Sequence, residues 1–349
     1  MLIVIFIMVV INGRGMNNAI NFHGISNGEW FEGILNILKS KYTMISIDEI
    51  EDLFFKDKKI SNKCHLTFDD GDISFYEIVY PILKRHNIPA TIFVSPTIIK
   101  ERKNFWFQEI KGYNHDEVKI IICEFLNIKF AVLNRYPLTA ILKCLKIDQI
   151  WEIIDIYRKR FDIALKEPRN ISIEQLLEID SYGLVKIGAH TLNHPILANE
   201  SDEKSSYEIN ESILGLKEIL GHEIKYFAYP NGFPIVDFGH REIETLKRNN
   251  CKIAFSCEPG NFSIQNSPLS VDRIGFSHGS LLFVKTKLLL GAYWDSIRDF
   301  IIKGEIQTRI EIDTKILKKS LILNKESSVN RLIRSYDKDI KASKNKQPL

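Results

Sequence analysis

His65-Leu66-Thr67-Phe68-Asp69-Asp70-Gly71-Asp72 is the stretch from which this 349-residue chain can be read. A short apolar run ends in two adjacent carboxylates, and a glycine follows at once. This is the pattern of a buried strand running into a tight turn, with its acids at the strand's C-terminal edge. In α/β folds, active sites collect at that edge. Neighbouring carboxylates repel unless a cation or a proton compensates them. Asp and Gly also suit an ordinary acidic turn, so the stretch alone leaves both readings open.

Working outward, strand and helix patterns alternate. Ala19–Gly24 reads as a strand ending in His23-Gly24. Phe31, Ile34, Leu35 and Leu38 have helical spacing, and Ser46 with Glu49 fits a capping box for a helix through Phe55. Ser74–Asn87 is helical, with a kink or restart expected at Pro81, and Pro89–Val94 is the next strand. Residues 97–170 hold Phe105-Trp106-Phe107 and several amphipathic segments, and read as a helical insertion, of the kind that forms a cleft wall or a lid or serves packing alone. A helix capped by Ser172 and Gln175 precedes the strand Val185–His190. A helix over 202–220, the strand Tyr226–Gly232, a helix near 240–249, the strand Lys252–Ser256 and Asp272–Gly275 complete the alternation. Such alternation implies a parallel sheet covered by helices. In a barrel, the polar residues at the strand ends (His23, Asp69, Asp70, His190, Asn231 and Arg273) would converge on one rim.

His190 and His194 stand four apart, a spacing that suits two imidazoles on one metal, and Pro195 favours a turn there over a long helix. With Asp70 they make a two-His, one-carboxylate set with open positions, suited to a hydrolytic divalent metal. Zn²⁺ is the default, and Co²⁺, Ni²⁺, Mn²⁺ or Fe²⁺ fit the same ligands. If Asp70 faces the metal, Asp69 points elsewhere and is free to act as a base on water.

Thr67-Phe68-Asp69-Asp70-Gly71, His190-Thr191-Leu192-Asn193-His194-Pro195 and Phe227-Ala228-Tyr229-Pro230-Asn231-Gly232 together resemble, in order and spacing, the first three motifs of the polysaccharide deacetylases. The resemblance covers about residues 17–280. It implies a distorted, often incomplete (β/α) barrel that removes N- or O-acetyl groups from a sugar or polysaccharide with a divalent metal. Asp69 would be the base and Asp70, His190 and His194 the ligands. Thr191, Tyr229 and Asn231 would lie on the substrate side, with the Asn231 amide toward the oxyanion. The third motif lacks the Arg that orients the base in many members, and Arg273 is the expected substitute. For the general acid, the candidates are His278 and His23. Removal of a formyl group, hydrolysis of another amide, and a degenerate carbohydrate-binding domain without turnover are the alternative readings.

A net charge of +3, with 45% apolar and 26% charged residues, is ordinary for a globular chain and does not suggest nucleic-acid binding. The substrate expected is an acetylated glycan or a lipid-linked sugar; oligomeric state is not legible. Five dispersed cysteines without a CxxC pair argue against a disulfide framework and lean toward a reducing, cytoplasmic compartment. Met1–Ile11 is an unbroken apolar run, shorter than the ~20 residues of a membrane span and without a basic flank before it. Residues 1–16 therefore read as an extension ahead of a start at Met16, with an anchor or export signal, or a buried strand, as the alternatives. Residues 17–284 form the expected catalytic domain. Residues 285–349 read as a helical segment and a basic tail able to touch an acidic membrane surface.

Overall fold

The computed structural model describes residues 16–276, 279–290 and 304–317. Their central feature is an eight-stranded parallel sheet. The strands are β1 (Asn18–Phe22), β2 (Thr43–Met44), β3 (Lys63–Phe68), β4 (Ala90–Val94), β5 (Val185–Ala189), β6 (Tyr226–Ala228), β7 (Ile253–Phe255) and β8 (Ile274–Gly275). Their order is β7-β6-β5-β4-β3-β1-β8, and β2 pairs with the start of β3. Val271, just ahead of β8, bridges Phe255 of β7, so the two ends of the strand order meet there. The distorted (β/α) barrel expected from the sequence is the fold found.

Alternation along each strand separates two cores, as the two-residue period of a strand requires. Ile20, Phe22, Cys64, Leu66, Phe68, Ile92, Val94, Ile187 and Phe227 face outward into the layer shared with the helices. Ala19, Phe93, Tyr226, Ala228, Ile253 and Phe255 face inward, where Ile47, Ile50 and Leu53 of the helix Ile47–Phe55 join them. Gly188 of β5 needs its missing side chain, since a Cβ would come within 2.4 Å of the Phe93 ring and 2.8 Å of the Tyr226 carbonyl. Glu49 accepts the Ser46 N–H at 3.2 Å. The Ser172–Gln175 capping box is formed in both directions. The interruption expected at Pro81 takes the form of a π-turn. Phe75–Val79 is π-helical, the Tyr80 N–H reaches the Phe75 carbonyl, and the α-helix Tyr80–His86 follows.

Contacts divide the chain into two compact units. The first contains the barrel, with residues 97–111 and 164–170, so it keeps both ends of the expected insertion. The second comprises Gly112–Leu145, Gln149–Ile163 and, of the C-terminal segment, the described residues 304–317. It is helical, with Ile121, Leu133, Ile141, Ile153 and Ile312 buried and Tyr113 stacked on Tyr157 at 4.3 Å. Residues 1–15 and the basic tail lie outside the described residues. No helix among the described residues is long and apolar enough to cross a membrane.

His65 sits fully buried on the inward face of β3. Its Nδ1 lies 2.8 Å from the Ile45 carbonyl, which can only accept, so Nδ1 carries the proton. Nε2 then accepts from the Thr91 hydroxyl at 2.9 Å. Burial pushes this imidazole down to about 4. An unfolded His titrates near 6.5, so below that pH the unfolded chain binds a proton that the folded chain refuses. The contribution is therefore whole above about pH 6.5 and is lost as pH falls toward about 4. Denaturant titrations of the wild type should show a loss of up to about 3 kcal/mol over this window that His65→Gln does not share. Equal slopes in the two proteins would refute the assignment.

Candidate active site

Strand register gathers residues that are far apart in sequence. Phe22 pairs with Phe68, Val94 with Ala189, Ala189 with Phe227 and Ala228 with Phe255. The residues that follow these pairs (His23, Asp69, Ser95, His190, Tyr229 and Ser256) therefore share one rim.

Past β3 the backbone turns left-handed at two successive residues, Asp70 (φ 73°) and Gly71 (φ 66°). Asp70 pays a steric cost of about 1–2 kcal/mol in this region. Gly71 is confined further, because a Cβ there would meet Val94 at 2.9 Å. The turn sends consecutive carboxylates apart. Asp70 Oδ1 lies 3.5 Å from Nε2 of His190 and 3.5 Å from Nε2 of His194. This oxygen is buried with no hydrogen-bond partner among the described residues. One donor atom from each of the three residues falls within 4.8 Å of the others. His190 is pre-oriented: its Nδ1 donates to the Ala228 carbonyl at 2.7 Å, which leaves the Nε2 lone pair facing Asp70.

His194 lies in a loop, not on a helix, and is itself left-handed (φ 58°), as is Thr191 (φ 60°). Its ring is flanked edge-on by Phe105 at 5.4 Å and Phe107 at 5.0 Å, and its carbonyl accepts from the Trp106 indole at 3.2 Å. Burial in this aromatic wall pushes the imidazole down to about 3, which keeps it neutral as a ligand must be. Burial also works against charge on His190 and Asp70. There the mutual attraction of imidazole and carboxylate prevails, raising His190 and lowering Asp70 from their ordinary values.

Asp69 points into the barrel and meets Arg273. Nη1 donates to Oδ1 and Nη2 to Oδ2, both at 2.9 Å, and the Asn21 amide adds a bond of 2.9 Å to Oδ2. The guanidinium also donates to Thr67 Oγ1, the Ser256 carbonyl and Cys257 Sγ. All five of its N–H groups are thus used, and the Phe93 and Phe255 rings flank it. Burial alone would raise the Asp69 carboxyl; the charge and hydrogen bonds of Arg273 together with the nearby imidazoles outweigh it and hold the group below the usual carboxylate range. Arg273 reaches Asp69 from the residue preceding β8, not from a strand's C-terminal end as the sequence suggested.

The other nominated residues divide. His23 stands half-exposed at the mouth, its Nε2 4.0 Å from Asp70 Oδ2. Asn231 is left-handed (φ 60°); its side chain is tied to Asp237 at 2.6 Å, and its backbone N–H has no acceptor among the described residues. Thr191 and Tyr229, expected on the substrate side, are instead fully buried. The Thr191 hydroxyl donates to the His190 carbonyl and accepts the His194 N–H. Tyr229 stacks on Phe238 at 3.6 Å and donates to the Leu269 carbonyl. Both build the loops and leave no face for substrate. His278 lies outside the described residues.

Glu208 was not anticipated. It sits on the buried face of the helix Asp202–Leu220. Its carboxylate accepts the N–H groups of Leu192 and Asn193 at 3.1 and 3.0 Å and the Asn193 side-chain amide at 2.9 Å. It thereby fixes the loop between the two histidines. A polar residue in the buried stripe of that helix (Ser205, Glu208, Ile209, Ser212, Leu216) was the available signal. Glu208→Ala should weaken metal binding by about 10–100-fold, as loss of such supporting contacts does, with the helix retained by circular dichroism. Unchanged affinity in a metal titration would remove Glu208 from this role.

Comparison with known proteins follows the geometry. The family model for polysaccharide deacetylase matches residues 56–252. A Bacillus subtilis protein named as a polysaccharide deacetylase, YxkH, is 32% identical over 99 residues. That match covers 26% of this chain and 36% of the relative, so the chain spans about a third of that protein's length. Among solved structures, the Streptococcus pyogenes deacetylase PplD in complex with acetate aligns with a TM-score of 0.51 at 18% identity, covering 79% of this chain and 98% of the other. IcaB from Ammonifex degensii aligns with a TM-score of 0.53 at 18% identity, covering 79% and 97%. At these identities the likeness is one of fold. The family match spans more than half of the chain and contains Asp69, Asp70, His190 and His194, and the chain belongs to the polysaccharide deacetylase family.

Proposed function

We propose that the chain is a metal-dependent hydrolase that removes acetyl groups from an N- or O-acetylated sugar or polysaccharide. The observation that carries the reading is the orphaned, buried Asp70 Oδ1 with two imidazole Nε2 atoms 3.5 Å away. A buried carboxylate oxygen without a partner is costly, and a cation between these three groups removes the cost. The donor set fits Zn²⁺ first, and Co²⁺, Ni²⁺, Mn²⁺ or Fe²⁺ by the same chemistry.

Asp70, His190 and His194 would hold the ion. Bound there, it supplies polarisation of the acyl carbonyl and a lowered pKa for water. The chain's own groups do the rest. Asp69 stays ionised beside Arg273, which is the state required to take a proton from the attacking water. The two 2.9 Å bonds from Arg273 and the one from Asn21 fix its orientation. The free Asn231 N–H donates to the developing oxyanion, a role that needs no side chain. His23, at the mouth, returns a proton to the leaving amine or alcohol. The Phe105, Trp106 and Phe107 wall keeps water away from His194.

Adjacent carboxylates with separate duties give a sharp test. Asp70→Ala should lose both metal and acetate release. Asp69→Asn should keep the metal and lose about 10²–10⁴ in kcat, measured as acetate released from acetylated chito-oligosaccharides. Normal turnover by Asp69→Asn, or full metal occupancy in Asp70→Ala, would reverse the roles.

A further inference from the structure

Beside the ligand loops lies a pocket of about 390 Å³, within the range of small-ligand sites. Its position follows from three contacts. The Ile171 N–H donates to the Gly71 carbonyl at 2.9 Å, and the Ile73 N–H to the Arg169 carbonyl at 2.8 Å. Lys103 Nζ reaches Asn193 Oδ1, between the two histidines, at 3.4 Å. The lining is therefore bonded to the Asp70-Gly71 turn through Ile171 and to the loop of His190 and His194 through Lys103.

The lining is apolar at Ile73, Ile98 and Ile171, and cationic at Arg102 and Lys103. Lys103 is tied to Glu101 at 2.8 Å, whereas the Arg102 guanidinium makes no hydrogen bond or close ion pair among the described residues and meets only the longer-range charge of Glu174. Arg169, adjacent to the pocket's Pro168 and Asn170, likewise has no side-chain partner among them. The polar neighbours Asn170, Ser172 and Gln175 are occupied with one another and with Gln108. Glu174 is the sole acid in the lining. Free guanidinium groups beside a pocket whose neutral donors are already used select for negative charge, which Arg meets with paired N–H bonds.

We propose that this pocket is a substrate subsite for an anionic substituent, a carboxylate or phosphate, on a residue of the glycan next to the one being deacetylated. The inference rests on the glycan reading above and adds to it the class of substrate: an acidic glycan. Arg102 makes the main contact, Lys103 and Arg169 reinforce the field, and Glu174 opposes it. The apolar floor of Ile73, Ile98 and Ile171 receives the sugar's C–H face.

The test uses the full-length, metal-loaded protein in affinity electrophoresis through gels containing soluble acetylated chitins: glycol chitin (neutral), carboxymethyl chitin and phosphorylated chitin. The wild type should prefer at least one anionic polymer over the neutral one by about tenfold, the value of one charge-assisted contact. The stronger of the two anionic gels identifies the substituent. Arg102→Ala should erase that preference and leave glycol chitin binding as it was. Glu174→Gln should tighten anionic binding. Lys39→Ala removes the same charge at an exposed position on the helix Gly28–Lys41 and should change nothing. Equal binding of neutral and anionic polymers by the wild type would overturn the proposal, as would an Arg102→Ala loss matched by Lys39→Ala. Acetate release is followed in parallel. Its absence from every polymer, with Arg102-dependent binding intact, would count against the hydrolase reading and not against the subsite.

Discussion

The rim of this barrel is organised by a buried ion pair. Arg273 and Asp69 are both almost wholly removed from solvent. A charged group placed there alone would cost several kcal/mol. The pair persists because every donor of the guanidinium is used, both carboxylate oxygens are bonded, and aromatic rings pack beside the cation. Its partners come from β1, from β3, from beyond β7 and from the approach to β8. The pair therefore ties the two ends of the strand order to its middle. A pair of this kind adds little net stability compared with an apolar core. What it secures is a carboxylate that is ionised and immobile at the mouth of the barrel.

The second constraint is backbone strain at the same rim. Asp70, Thr191, His194 and Asn231 all adopt left-handed φ values, and none of them is glycine. Such conformations persist where the surroundings over-determine them, and each is held here by a different device. Gly71, pressed against Val94, sets the turn at Asp70. The Thr191 hydroxyl closes the loop at His194, Glu208 grips two of the three residues between the histidines, Leu192 and Asn193, and Asp237 takes the Asn231 side chain. Three of the four are residues to which the proposed function gives a role, Asp70 and His194 as ligands and Asn231 as oxyanion donor, places where a small displacement would matter most to chemistry.

These devices explain what was and was not legible in the sequence. The strands were legible because a parallel sheet buried on both faces is written as short apolar runs, and the acid and histidine motifs stand directly at their ends. Arg273 was found through the family resemblance, because the third motif here lacks the Arg that orients the base in many members. Its reach from ahead of β8 was not legible, because the irregular stretch that bridges β7 has no periodicity. Thr191 and Tyr229 were misplaced because a hydroxyl's partner decides its role. Here the partners are the carbonyls of His190 and Leu269, which sequence patterns do not reveal. Glu208 was hidden in a helix whose buried face also carries serines, so its polarity read as surface. The second unit's limits were blurred because residues 97–111 and 164–170 have the composition of the insertion they flank, yet pack with the barrel.

Under the subsite proposal, those flanking segments connect the scaffold to specificity. The motif loops are short and fully committed: their hydroxyls, amides and carboxylates hold one another in place, which leaves few groups to read a substrate beyond its acyl centre. Residues 97–111 and 164–170 also bond to one another, through Asn104, Glu109 and Asn170, yet leave the Arg102 and Arg169 guanidinium groups without hydrogen bonds among the described residues. They supply the aromatic wall against His194 and the cations beside Asn170. They also meet the strained turn through bonds to Gly71 and Ile73. Contacts made along this flank thus bear on the segment that positions Asp70. Binding energy gained there, away from the reacting bond, is of the kind that can fix orientation at the reacting centre.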